Sequence, residues 1–425
     1  MIGIIMFGVA LVMLMLGFPV AFTFGGVALF FGVFAEGMDL FAFMPFRIMS
    51  VMQNTVLMAV PLFIFMGVVL QRTRLAEQLL TSMGRLFGGL PGGLAISTIL
   101  VGALLAASTG VVGASVVAMG LISLPVMLAH KYDKRLSTGT LGQIVPPSII
   151  LIILGDVLGL PVGDLFKAAV WPGVVLIGLY IIYILIMTRL KPETAPAMPE
   201  DPTRSRKQEI VSALLAIIPP LALIVVVLGS IFSGIATPTE SSALGGVGAI
   251  VLALIYRQFS FKMVWDSAKD TVKVTAMVFA ILIGATAFSM VFSYTGGDYI
   301  LEEWLTALPG EQWGFIILAM LVILILGFFI DFVEISFIIV PILAPVAEAM
   351  GINMLWFAIL IAMNLQTSFL TPPFGFSLFY LKGVAPPEVR TTDIYRGIIP
   401  FIAIQILVLA LIVVFPEWFG MSSTY

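Results

Sequence analysis

The residues that could carry chemistry in this sequence are a few oxygen-bearing side chains inside apolar stretches. Asp331 and Glu334 are the only charged residues between positions 314 and 347. An ionisable side chain at membrane depth is energetically expensive and by default indicates an ion or substrate path. The sequence has one histidine and no cysteine. Oxygen ligands therefore remain, and these suit a hard cation such as Na⁺.

A Pro-Pro motif occurs twice. Residues 141–148 read Leu-Gly-Gln-Ile-Val-Pro-Pro-Ser, and residues 367–375 read Thr-Ser-Phe-Leu-Thr-Pro-Pro-Phe-Gly. Proline removes a backbone donor and disfavours the helical conformation of the residue before it. Backbone groups freed in this way are tolerated in a membrane only where protein or a water-filled cavity satisfies them. Paired interruptions in the two halves of a membrane protein indicate a transport site.

The features upstream of each motif also repeat in order. A polar spot at 102–110 precedes an apolar run with Pro125, and a polar spot at 327–331 precedes an apolar run with Pro341. This order predicts, in each half, a re-entrant helical hairpin followed by a discontinuous helix. Proline and glycine are common in membrane helices in any case. That alternative explains the composition but not the repeated order.

The candidate cation ligands cluster at the two interruptions. Half-helix C-termini present carbonyl oxygens at a negative dipole end, and half-helix N-termini suit an anionic substrate. A single hydroxyl is weak support, because serine and threonine often bond back to the preceding turn. The candidates are Ser108, Thr109, Ser115 and the backbone of 142–147 in the first half, and Asp331, Asn364, Thr367, Ser368 and Thr371 in the second.

The composition predicts an all-α polytopic membrane protein. Hydrophobic residues make up 61% and charged residues 10% of the chain, against roughly 25% charged residues in a soluble domain. The apolar runs are continuous, unlike the short alternating segments of a membrane barrel. No Lys or Arg precedes Arg47, so we expect the first apolar stretch to be retained rather than cleaved as a signal peptide. The net charge of −3 gives no reason to expect a nucleic-acid partner.

The chain divides into two halves around one hydrophilic linker, residues 189–209. Its five basic residues predict a cytoplasmic location. The expected units are 1–93 (scaffold and arm helices), 94–188 (first repeat core), 189–209 (linker), 210–313 (scaffold and arm helices), 314–382 (second repeat core) and 383–425 (C-terminal helix).

Local patterns predict three further features. Gly17 and Pro19 break the first apolar stretch, and residues 237–240 (Thr-Pro-Thr-Glu) begin a helix with a capping box. Residues 75–87 form an amphipathic interfacial stretch, with residues 256–270 as the expected counterpart in the second half.

The first broken helix is predicted to be shorter than the second. Pro146 follows Pro125 by 21 positions, whereas Pro372 follows Pro341 by 31. Between Arg135 and Val145 the chain offers about 15 Å of helix, which is about half the hydrocarbon core. Either the first half packs differently or a deletion makes it a poorer transporter.

Enzymatic constellations are nearly absent from the sequence. No His-Glu-x-x-His motif or cysteine occurs, and the lone His130 stands among charged residues. Residues 295–298 approach the Gly-x-Gly-Asp motif of intramembrane aspartyl proteases but carry Thr295 in place of the first glycine. The sequence therefore indicates a transporter rather than an enzyme.

Taken together, the motifs resemble those of the large membrane subunit of tripartite ATP-independent periplasmic (TRAP) transporters. They span most of the chain in the family's order. The matching segments are 59–67 (Ala-Val-Pro-Leu-Phe-Ile-Phe-Met-Gly), 120–125 (Gly-Leu-Ile-Ser-Leu-Pro), 142–148, 236–240, Asp331 with Pro341 ten residues on, and 370–375.

The resemblance implies an elevator-type transporter with two inverted repeats and sodium as coupling ion, with no organic cofactor. It implies an organic-acid substrate, a small four-helix membrane subunit, a periplasmic substrate-binding protein and a bacterial inner-membrane location. By position, the resemblance assigns Thr109 to a hairpin tip that also includes Ser108. It places Gly142, Val145 and Pro147 on the carbonyl-donating break, and Asp331 and Thr371 in the second-half site, near Thr367.

The sequence departs from the family at the first hairpin tip. The family's Ser-Gly-Ser is here Thr109, Gly110 and Val111, and Ser115 replaces an aspartate. These changes alter the ligands expected at the first cation site. Two alternatives stay open: a sodium/anion symporter of related architecture that needs no binding protein, and a non-transporting receptor or scaffold. The second has no need of two costly helix breaks.

Overall fold

In a computed structural model, all named elements of the described residues are helices. The structure describes residues 1–73, 75–109, 112–141, 149–198, 206–372 and 375–424. The first half contains α1 (Ile2–Met15), α2 (Val20–Glu36), α3 (Met44–Met52), α4 (Ala59–Arg72), α5 (Leu75–Gly88), α6 (Gly93–Thr109), α7 (Val112–Ala129), α8 (Lys134–Gly139), α9 (Ile149–Val157) and α10 (Val162–Leu190).

The second half contains ten further helices. They are α11 (Arg206–Phe232), α12 (Pro238–Ile255), α13 (Phe261–Tyr294), α14 (Gly297–Thr306), α15 (Glu311–Leu326), α16 (Phe332–Glu334), α17 (Val340–Ala349), α18 (Met354–Leu370), α19 (Phe376–Val384) and α20 (Thr391–Val414). A π-helical segment, Ile335–Ile339, joins α16 to α17. Short 3₁₀ turns occupy Met38–Phe43, Pro192–Thr194 and Pro416–Phe419.

Among the described residues, six helices are long and apolar enough to cross a membrane. They are α10, α11, α12, α13, the α16–α17 segment and α20. The number becomes seven if α4 and α5, which meet at a 64° bend, count as one span. Other apolar helices are shorter, as expected where spans are interrupted. The predicted all-α polytopic fold is confirmed.

Two local predictions are also confirmed. The first apolar stretch breaks into α1 and α2 at Gly17, whose φ of 89° is a left-handed conformation that favours glycine. At the start of α12, Thr237 Oγ1 accepts from the N–H of Glu240 at 3.3 Å, and the Glu240 carboxylate accepts from the N–H of Thr237 at 2.8 Å. This is the predicted capping box.

The helix order of the two halves matches around the interruptions. In the first half α5 is followed by the first hairpin (α6 and α7), by α8 and α9 across the break, and by α10. In the second half α14 is followed by the second hairpin (α15 and α16–α17), by α18 and α19, and by α20. Clefts of about 620 Å³ between α5 and α7 and about 260 Å³ between α14 and α17 occupy corresponding places.

This order corrects the pairing of the amphipathic segments. Residues 256–270 were expected to be the counterpart of 75–87, but most of them form the first turns of the single 34-residue helix α13. The amphipathic helix before the second hairpin is α14. The helical propensity of 261–270 continues into the apolar span without a Pro or Gly, so no boundary separates the two.

Hydrogen bonds fix the first hairpin base, residues 130–133, near the linker. The N–H of Asp133 donates to the carbonyl of Thr194 at 2.8 Å, and that of Gly92 donates to Ala195 at 3.0 Å. Thr194 and Ala195 follow the C-terminal end of α10. The described part of the linker therefore lies against the base of the first hairpin.

The second hairpin base, residues 350–353, lies near the other end of α10. The N–H of Asn353 donates to Ser423 at 3.0 Å, and Trp171 Nε1, in the first half of α10, donates to the carbonyl of Trp418 at 3.0 Å. Trp171 is about 28 Å of helix from Leu190. The two hairpin bases thus lie towards opposite ends of α10, as inverted repeats require.

The predicted shortening of the first broken helix is confirmed. Helix α8 has 6 residues and its counterpart α18 has 17, which is about 9 Å against about 25 Å of rise. Helix α8 crosses α20 closely. A Cβ at Gly139 would lie 2.4 Å from the carbonyl oxygen of Gly397, and a Cβ at Gly397 would lie 2.1 Å from that of Arg135.

We predict that Gly397→Ala lowers the thermal stability of the purified protein. The added methyl group meets backbone rather than a flexible side chain, and overpacking of this kind costs about 1–3 kcal/mol. Gly178→Ala is the control, because a Cβ there meets nothing within 4 Å. Gly178→Ala should leave the unfolding temperature equal to or above that of the wild type. Equal melting of the two variants would contradict the close crossing of α8 and α20.

Candidate functional site

The second interruption brings the hairpin tip, residues 327–331, against the end of α18. Helix α15 ends at Leu326 and α16 begins at Phe332. A Cβ at Gly327 would lie 2.2 Å from Ser368 Oγ, so only glycine permits this approach. The rings of Phe332 and Phe369 are 6.0 Å apart and nearly edge-on. The tip and the C-terminal turn of α18 therefore form one contiguous unit.

Asp331 lies at the N-cap of α16. Its Oδ1 accepts from the N–H of Phe332 at 2.7 Å, and the residue is half-buried. Its carboxylate lies within electrostatic range of Glu334 and of Tyr380 on α19. The predicted acid of the second-half site thus lies at the hairpin tip, next to Phe332, whose ring packs against Phe369 of α18.

Four polar residues in the C-terminal half of α18 and at its C-cap donate to backbone carbonyls. Asn364 Nδ2 donates to the carbonyl of Met320 at 2.6 Å, which links α18 to α15. Thr367 donates to Met363 at 3.0 Å, Ser368 to Leu365 at 2.7 Å and Thr371 to Thr367 at 2.7 Å. These hydroxyl protons are engaged, so the lone pairs of the oxygens remain available as acceptors or ligands. The donor set at this end of α18 suits a hard cation.

Glu334 and the π-helical segment complete the tip. Glu334 is 6% exposed, and its Oε2 has no hydrogen-bond partner among the residues that the structure describes. Ser336 Oγ in the π segment is likewise buried without a described partner. The segment packs against α9 and against α13. Single π-helical turns inside α-helices frequently occur at functional sites.

The candidates of the first half stay predictions. Ser108 and Thr109 form the end of α6, but their side chains are not among those described. Gly142, Val145 and Pro147 lie outside the described residues. Of the predicted site residues, the structure describes the side chains of Asp331 at the hairpin tip and of Thr367 and Thr371 at the end of α18. Their role as cation ligands stays a prediction, as does that of the other five.

Tyr380 is a neighbour of Asp331 that the sequence interpretation missed. It lies on α19, four positions after Phe376, the first residue of that helix. No sequence pattern indicated this proximity, because Tyr380 and Asp331 are 49 positions apart. Gly327 belongs to the polar spot at 327–331 that the sequence indicated, but its close packing against Ser368 could not be predicted from the sequence.

Comparison with known proteins agrees with this architecture. Residues 7–418 match the family model described as the DctM component of the tripartite ATP-independent periplasmic transporter. The chain belongs to this family. It is 30% identical over 390 residues to the C4-dicarboxylate TRAP transporter large permease protein DctM of Pseudomonas aeruginosa, a match that covers 88% of this chain and 90% of that protein.

Two further similarities extend over nearly the whole chain. The sialic acid TRAP transporter large permease protein SiaM of Vibrio cholerae is 29% identical over 415 residues, covering 96% of this chain and 95% of that protein. The YdaH transporter of Alcanivorax borkumensis shares the fold with a TM-score of 0.59 and 17% identity, over 91% of this chain and 89% of that one. The chain is therefore a multi-pass protein of the inner membrane with the fold of a secondary transporter.

We predict that Gly327→Ala destabilises the protein and that Ser368→Gly partly restores it. The alanine methyl group would overlap Ser368 Oγ and Cβ, at 2.2 and 2.7 Å, at a cost of about 1–3 kcal/mol. Thermal unfolding of the two single variants and the double variant gives the interaction energy. Purely additive losses would show that the tip does not contact α18 at this place.

Proposed function

We propose that the chain is the membrane subunit of a sodium-coupled importer of an organic acid. In this proposal a small membrane subunit accompanies it, and a periplasmic binding protein delivers the substrate. The observation that carries the proposal is the position of Asp331, which lies in an interruption of one helix beside the C-terminal end of another. The carboxylate of Asp331 and the hydroxyl and terminal carbonyl oxygens at the end of α18 are ligands of the kind that a hard cation prefers.

The electrostatics of the second interruption favour a monovalent cation. The C-terminal end of a helix carries about half a negative elementary charge, and α18 has 17 residues directed at the break. Asp331 adds a full negative charge when ionised. Two described ion pairs, Arg72 with Asp270 and Lys273 with Asp270, do not involve Asp331. A bound Na⁺ would supply the balancing charge.

Support for an organic acid comes from relatives and not from a described substrate site. Two similar permeases are named for C4-dicarboxylate and for sialic acid, and both names denote carboxylic acids. The family's name includes the words tripartite and periplasmic, which supports a partner subunit and a periplasmic component. The identity of the acid follows from experiment.

The test is uptake into proteoliposomes that contain this chain and its small membrane subunit. A panel of radiolabelled organic acids is supplied with and without the binding protein, and with and without an inward sodium gradient. Uptake that needs both establishes the proposal and identifies the substrate. Sodium-driven uptake without the binding protein would instead establish the simpler symporter. Uptake that is indifferent to sodium would contradict the coupling.

We predict that Asp331→Asn abolishes sodium-dependent uptake while the protein still folds in the membrane. The amide keeps the size of the side chain and a capping oxygen but removes the charge that attracts the ion. Glu348→Gln, an exposed acid near the end of α17, is the matched control and should transport normally. Unchanged sodium dependence in Asp331→Asn would contradict the assignment of Asp331.

A further inference from the structure

Glu334 is a buried acid to which the proposed function assigns no role. It is the last residue of α16 and the third residue after Asp331. Its side chain is 6% exposed, and Oε2 has no hydrogen-bond partner among the described residues. A buried carboxylate oxygen without a partner is unfavourable by several kcal/mol. Such an atom calls for a ligand.

A helix-capping role accounts for only one of the two carboxyl oxygens of Glu334. Asp331 is the N-cap of α16 and Glu334 is at the N3 position. A glutamate at N3 is placed for the reciprocal half of a capping box. Capping uses one carboxyl oxygen as acceptor. A glutamine would do the same, so capping does not explain why an acid is buried here.

The second oxygen lies beside another negative group. Residues at N-cap and N3 of one helix turn lie on the same face, and Asp331 acts electrostatically on Glu334. Two carboxylates at close range in a low-dielectric site repel one another strongly. Neither takes part in a described ion pair, and no Lys or Arg occurs between positions 314 and 347. A bound cation resolves both the repulsion and the unpartnered oxygen.

The two helices against which the π-helical segment packs, α9 and α13, add no positive charge near this pair. The one charged residue of α9, Asp156, accepts from Asn54 Nδ2 at 2.5 Å. The charged residues of α13 all lie at positions 262–273, and its buried apolar part follows from Val278. On α19, Lys382 Nζ donates to the carbonyl of Val389 at 2.9 Å.

We infer that Glu334 is a second carboxylate ligand of the cation site at Asp331. Sodium is then held by an acid pair from one turn of the hairpin tip, with Glu334 Oε2 directed at the ion. The inference rests on the proposed sodium coupling and extends it. The acid pair gives this site a higher negative charge than one aspartate provides, and therefore a higher affinity for Na⁺.

The test is equilibrium binding of ²²Na⁺ to the purified full-length chain by a scintillation proximity assay, without substrate. Glu334→Gln keeps the capping oxygen but removes the charge. We expect the half-saturating Na⁺ concentration to rise by about tenfold or more, the scale on which changes at ion ligands and their supports weaken binding. Glu334→Asp should give a smaller rise, and Glu348→Gln, the exposed control, should bind like the wild type.

The outcomes separate this inference from the proposed function. Absence of ²²Na⁺ binding by the wild type would overturn the sodium coupling itself. Wild-type affinity in Glu334→Gln, with binding lost in Asp331→Asn, would leave the coupling intact and overturn the role of Glu334. If Glu334→Gln fails to fold, as judged by thermal unfolding, the comparison of Glu334→Asp with the wild type decides, because wild-type affinity in that variant also contradicts a direct ligand.

Discussion

The structure depends on one constraint: backbone groups freed at a helix break cannot face lipid. Each unsatisfied group in hydrocarbon costs several kcal/mol, so a helix can be interrupted only where protein or water surrounds it. Helix α18 meets this condition, because nearly all of its residues are buried. The hairpin tip at Gly327, the arm α19 and the helices α15 and α20 pack around its end. The same enclosure brings the hairpin tip that carries Asp331 against the end of α18 that carries Thr367 and Thr371.

The two halves differ in the length of the helix that precedes each break. In the second half a helix of 17 residues directs its C-terminal carbonyls at the break, whereas in the first half α8 has 6 residues. A short helix carries fewer aligned peptide dipoles, so the C-terminal end of α8 is less negative than that of α18. The sequence also lacks a hydroxyl at Val111 and an acid at Ser115. In the proposed sodium coupling the second half therefore contributes the greater part, and the inferred Asp331–Glu334 pair increases that asymmetry.

Sequence patterns predicted the parts of the fold that follow from local chemistry. The breaks at Gly17 and at the second Pro-Pro pair, the cap at Thr237 and the shortness of α8 all depend on residue types within a few positions. The continuity of α13 was missed because amphipathic and apolar segments join without a breaking residue. The contact of Gly327 with Ser368 and the electrostatic interaction of Asp331 with Tyr380 were missed because they join distant segments. Only tertiary packing shows that Glu334 Oε2 is buried without a described partner.

The inverted arrangement predicts that the two hairpins enter the membrane from opposite sides. This can be tested through single cysteines, because the chain contains none. Ala129 and Ala349 are the matched positions, each the exposed last residue of its hairpin. Ala129→Cys and Ala349→Cys are labelled with a membrane-impermeant maleimide in inside-out and right-side-out vesicles. The account predicts that Cys at 129 reacts only from the cytoplasmic side and Cys at 349 only from the periplasmic side. Labelling of both from the same side would contradict it.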